Sequence, residues 1–119
     1  MKINILKSIL YTHFALLISS TTLLADNQRN LSLSQPYSNC LAKAYVRNLQ
    51  KNDPPTKTID QIRQLAERNC RRQETKMKKN LSKAYECSDE CPIAVETAEM
   101  IKQGMYLTIK FELFGPPSN

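Results

Sequence analysis

TIDQIRQLAERNCRRQETKMKKNLSKAY, residues 58–85, decides the fold class. Ile59, Ile62, Ala66 and Cys70, then Met77, Leu81 and Ala84, recur at the three-to-four-residue spacing that gathers side chains on one face of a helix. Thr58 and Gln61 form the capping-box pattern, in which the Thr hydroxyl and the Gln side chain each satisfy a backbone N–H that the first turn leaves free. No Gly or Pro occurs from residue 56 to residue 91, so a single helix reaching Tyr85 is possible, with the polar patch Arg71 to Lys76 as the place for a break.

Upstream, Lys51-Asn52-Asp53-Pro54-Pro55 denies the backbone two donors and predicts an extended turn. Before it, Tyr37, Leu41, Ala44, Tyr45 and Leu49 predict a first helix from near Ser38 to Leu49. Residues 26–36 are polar and carry no strong pattern apart from the alternation Leu31-Ser32-Leu33-Ser34. Downstream, the turn Cys87 to Pro92 opens a third helix, with Pro92 suited to its first position. Ala94, Ala98 and Ile101, helped by Val95, form its spine, and Gly104 reads as its stop. From Met105 to Phe114 the period changes. Leu107, Ile109, Phe111 and Leu113 alternate with Tyr106, Thr108, Lys110, Glu112 and Phe114, the pattern of a strand with one buried face. The expected fold is mainly α: a small disulfide-linked helical domain, a helical hairpin plus a third helix, with one C-terminal β-strand.

The first 25 residues have the layout of a cleavable secretory signal. Lys2 and Lys7 precede an uncharged stretch from Ser8 to Ala25, whose apolar density peaks around Phe14 to Ile18. An uncleaved anchor is the competing reading. His13 and several Ser and Thr residues shorten the apolar core below what a bilayer about 30 Å thick requires. Leu23, three residues before the expected cut, stands where a small residue is usual. The expected organisation is a signal over 1–25 and one small domain over 26–119, secreted or periplasmic, with no transmembrane segment after cleavage.

A domain of that size buries a limited share of its surface and gains from covalent ties. Cys40, Cys70, Cys87 and Cys91 all follow the signal, their number is even, and an oxidising destination favours two disulfides. Zinc held by four cysteines is the competitor, but paired knuckle spacing is missing from the first half. In an antiparallel hairpin Cys40 lies about 15 Å before the turn and Cys70 about 18 Å after Thr58, nearly level. That favours Cys40–Cys70 with Cys87–Cys91. Cys40–Cys91 with Cys70–Cys87 stays open. A short Cys87–Cys91 loop also admits a redox role, although the spacing is one residue longer than the familiar dithiol.

The chemistry on offer is thin. The one histidine, His13, sits in the signal, so the remaining domain lacks the commonest general base and metal ligand. With only two glycines, Gly104 and Gly115, it has no phosphate-cradling loop. The carboxylate pairs Asp89/Glu90 and Glu96/Glu99 read as solvated surface. No catalytic residue, metal or cofactor is expected, and the protein reads as a non-catalytic binding or interaction protein.

Charge is the informative polar feature. Residues 68–83 carry seven cations and one anion, while residues 84–119 carry two cations and six anions. Arg68, Arg72, Lys76, Lys79 and Lys83 follow helical spacing and form one stripe opposite the apolar positions. Such a stripe suits an anionic surface or an acidic protein, and the alternative function is that of a secreted toxin or effector-like polypeptide acting on anionic surfaces. Nucleic acid is not an expected partner of an exported chain. The plainer alternative is a solvated helix face, partly neutralised by the acidic C-terminal third folding back on it. The lone strand supplies the other surface: Met105 to Phe114 would pair with residues 31–34, pack as a tail, or add to another chain, including a second copy of this one. Asn30-Leu31-Ser32 and Asn80-Leu81-Ser82 have the glycosylation sequon and matter only in a eukaryotic secretory pathway.

Overall fold

A computed structural model describes residues 25–88 and 90–116; the stretch 1–24, which holds nearly all of the expected signal, lies outside the described residues. Four helices occur among them: α1 (Ala25–Gln50), α2 (Ile59–Asn69), α3 (Arg71–Ala84) and α4 (Pro92–Phe114). The domain is mainly helical and carries two disulfides, Cys40–Cys70 and Cys87–Cys91.

The helices make three rods. α2 and α3 follow one another as a bent arm that runs antiparallel to α1. Cys40 joins Cys70 at a Cα separation of 5.8 Å, and Tyr85 Oη at the far end of the arm donates to Asn30 Oδ1 at 2.7 Å. α4 returns along the arm in the opposite direction. Its Lys102 meets Glu74 on α3 at 2.9 Å, and one turn later Tyr106 Oη donates to Asp60 Oδ1 on α2 at 2.6 Å. Between the rods lie Tyr37, Leu41 and Tyr45 of α1, Ile62 and Ala66 of α2, Met77 and Leu81 of α3, and Ala98, Met105 and Ile109 of α4, all buried.

The turn between α1 and α2 is organised by Asn52. Its Oδ1 accepts from the backbone N–H groups of Thr56 and Lys57, and its Nδ2 donates to the Lys57 carbonyl. The capping box then starts α2: Gln61 N–H donates to Thr58 Oγ1 and Thr58 N–H donates to Gln61 Oε1. Losing that reciprocal pair in Thr58→Ala should cost about 1 kcal/mol. That corresponds to a fall in Tm of roughly 4–8 °C for a domain of this size. Thermal unfolding followed by circular dichroism measures it, and an unchanged Tm would show that the cap is not holding the helix.

Three expectations need correction. α1 does not begin near Ser38 but runs back to Ala25, through Pro36. The hydroxyls of Ser34 and Ser38 turn inward onto the carbonyls of Leu31 and Ser34, so a polar stretch can sit against the core without unpaired groups. The arm breaks at Cys70, one residue ahead of the polar patch. Cys70 N–H reaches the Ala66 and Glu67 carbonyls, and α3 starts afresh at Arg71.

The third correction is the largest. Met105 to Phe114 is not a strand but the second half of α4, and Gly104 lies inside that helix. Ala94, Ala98, Ile101, Met105 and Ile109 continue one buried helical face through the glycine. A helix satisfies its own backbone, whereas a lone strand leaves two unpaired edges. That gain outweighs the cost of about 1 kcal/mol for a mid-helix glycine. The stop is Gly115, at φ 77°, a conformation that L side chains rarely adopt, and its N–H donates to the Phe111 carbonyl at 2.7 Å. Among the described residues no strand occurs.

Candidate functional surfaces

Arg68 lies in the last turn of α2, and Arg72, Lys76, Lys79 and Lys83 lie on α3, all exposed. The break at Cys70 separates Arg68 from the other four, whose 4, 3, 4 spacing keeps them on one side of α3. Met77 and Leu81, fully buried, mark the other side. None of the five cations forms an ion pair with a described residue.

The acidic C-terminal third does fold back, but onto a different line of the helix. Glu74 pairs with Lys102 at 2.9 Å and with Lys78 at 3.4 Å, and Lys78 also lies 4.0 Å from Glu90. Lys102 bonds Glu99 as well, at 3.2 Å. Burial opposes the Lys102 charge, yet the hydrogen bonds to Glu74 and Glu99 outweigh it and hold its pKa above the ordinary lysine value. Among the described residues these pairs lie along the α3–α4 seam and include none of the five stripe cations.

A second polar group sits where α4 crosses α2. The Arg63 guanidinium lies over the Tyr106 ring at 4.5 Å from its centroid, bonds Glu67 at 3.0 Å, and reaches Gln103 Oε1 at 3.5 Å. The bond to Asp60, the leading cause, raises the Tyr106 pKa by holding its proton. These contacts tie α2 and α4 together. All four cysteines are oxidised, and no group of three or more His, Cys, Asp or Glu side chains is placed to hold a metal among the described residues.

The surface that sequence reading missed is on α4. Met100, Leu107, Phe111 and Phe114 are 73%, 52%, 52% and 67% exposed. At 3.6 residues per turn they fall, with Gly104, within a wedge of about 80°, centred roughly 140° around the helix from the buried face. α4 is therefore apolar on two sides, and the described residues cover one of them. Single exposed apolar side chains are ordinary, but an aligned row of four large ones is not. The signal was present as the positions 100, 104, 107, 111 and 114, hidden by assigning the segment a period of two.

Of the two sequon asparagines, Asn30 accepts from the Tyr85 hydroxyl and Asn80 is half-buried in α3. No described helix is long and apolar enough to cross a membrane. Compared with protein-family models, curated proteins and solved structures, the chain gives no match.

Proposed function

We propose that this is a small exported interaction protein, without catalysis, whose contact surface is the outer face of α4. The observation that carries the reading is the aligned row Met100, Leu107, Phe111 and Phe114, exposed on a helix whose opposite face already fills the core. Evenly spaced large apolar groups on a rigid element match helix-mediated recognition, where anchors recur at one-turn intervals. The test is to place a photo-crosslinking residue at Phe111 and, as control, at Lys83, in cells that export the protein. A discrete adduct from position 111 with none from position 83 is the expected result. The intact mass of the recovered protein should also lack the first 25 or so residues. No adduct from position 111, or a mass retaining the leader, overturns the corresponding half of the reading.

A second reading is favoured by one observation, the exposed cations Arg72, Lys76, Lys79 and Lys83, none of them ion-paired among the described residues. In it the protein is a toxin or effector-like polypeptide held on anionic surfaces through α3. Sedimentation with phosphatidylglycerol vesicles should then fall steeply with salt and disappear in the triple variant R72E/K76E/K79E. Binding that ignores both changes removes α3 from consideration.

A further inference from the structure

The outer face of α4 has a shape that selects its occupant. Its apolar positions are spaced 4, 3, 4 and 3 along the helix (Met100, Gly104, Leu107, Phe111, Phe114), which is the seam pattern of paired helices. Bulk along that seam is uneven. The C-terminal half carries two phenylalanines, while the N-terminal half carries a glycine with Thr97 one turn before Met100. A partner helix running parallel and in register would set Phe111 against Phe111 and leave Gly104 facing Gly104, a clash beside a void. Running antiparallel, the same sequence is complementary to itself: Phe111 meets Met100 of the second copy, Leu107 meets Gly104, and Phe114 meets Thr97. Such reciprocity is what a two-fold interface requires, since each contact occurs twice.

Resting on the reading of α4 as the contact surface, we infer that its occupant is a second copy of this chain, with the two α4 helices packed antiparallel about a two-fold axis near residues 104–107. Area and charge support it. From their fractional exposures the four large side chains offer roughly 500 Å² per copy, so a pair buries about 1,000 Å² before the flanks are counted, near the lower bound of a stable interface. Along one flank the pairing sets Lys110 beside Gln103 of the second copy, twice, with no like charges opposed. Gln103 and Lys110 are both exposed.

The experiment is sedimentation equilibrium of the purified, oxidised protein from low micromolar to about 200 µM, with a hydrophobic dye titrated in parallel. Twice the monomer mass is expected, and Leu107→Glu with Phe111→Glu should return a monomer of unchanged helical circular dichroism. Gln103→Lys opposes two lysine pairs across the axis and should weaken dimerisation roughly tenfold. Adding Lys110→Glu should restore it, whereas a parallel pair would respond to neither change. A wild-type monomer at 200 µM overturns the second copy. If that monomer still binds dye, and the Leu107/Phe111 double variant does not, the contact-surface reading survives on its own. If neither binds dye, both fall. Wild-type monomer that sediments with neutral phosphatidylcholine vesicles instead assigns the face to lipid and overturns the dimer.

Discussion

Replacing Cys40 and Cys70 together by Ala should lower stability by about 3–4 kcal/mol and Tm by roughly 15–25 °C. The bridge spans 30 residues, and closing a loop of that length removes entropy from the unfolded chain equivalent to about 3.6 kcal/mol in the chain-entropy model. Its position adds to the loss. Cys70 is fully buried at the bend between α2 and α3, so removing its sulfur also leaves space against the core. The Cys87–Cys91 bridge spans only 4 residues, and the same model gives it about 2 kcal/mol. Parallel melts of the two double variants therefore rank the bridges. A Cys40/Cys70 variant melting within a few degrees of the native protein would mean that helix packing alone holds the hairpin.

Alkaline pH should unfold the protein earlier than its charge balance suggests. Tyr37 and Tyr45 are 0% and 1% exposed, and their hydroxyls have no hydrogen-bond partner among the described residues. Burial is the main force that pushes both phenols well above their ordinary value. Glu74, Glu67 and Glu99 reinforce it at Tyr37, and Glu67 does so at Tyr45. A group whose pKa is raised on folding gives stability that is complete below its unfolded value and lost above it. For these tyrosines the loss begins near pH 10, where the unfolded chain can form phenolates and the folded one cannot. Each contributes a slope of about 1.4 kcal/mol per pH unit, so two together can consume a small domain's stability within a few units. Lys102, also raised on folding, acts in the same direction from the pH at which the unfolded lysine begins to lose its proton. The double variant Tyr37→Phe/Tyr45→Phe isolates the tyrosines. It should match or exceed the native protein at pH 7, because an unpaired buried hydroxyl carries a desolvation cost, and it should keep its Tm better between pH 9 and 11. Equal alkaline losses in both proteins would acquit the tyrosines.

The helical hairpin was legible because its signals are local. Thr58 and Gln61 mark where α2 begins, Pro54 and Pro55 mark where α1 cannot continue, and the apolar positions between them keep one period. The first half of α1 was not legible. Its inward-facing groups are Ser34 and Ser38, whose burial depends on hydroxyl bonds within the folded helix, and Pro36 argues against a helix from sequence. The strand expectation failed for a more general reason. A helix with one apolar face shows gaps at 3.6-residue spacing, but a helix with two such faces fills the gaps. Residues 101, 105 and 109 serve the core while 100, 107, 111 and 114 face outward, and the merged pattern imitates alternation. The basic stripe was visible as spacing. Whether acids would neutralise it was not, since that depends on Glu74 and Glu90 meeting Lys78 rather than its neighbours.

The bridge at Cys70 also sets a clock on the chain. While Cys40 and Cys70 remain thiols, the domain lacks a contribution comparable to the whole net stability of many proteins this small. The reduced polypeptide is then pliable and more easily drawn out lengthwise. Oxidation locks the hairpin, so a change of redox surroundings is enough to turn a pliable chain into a fixed one.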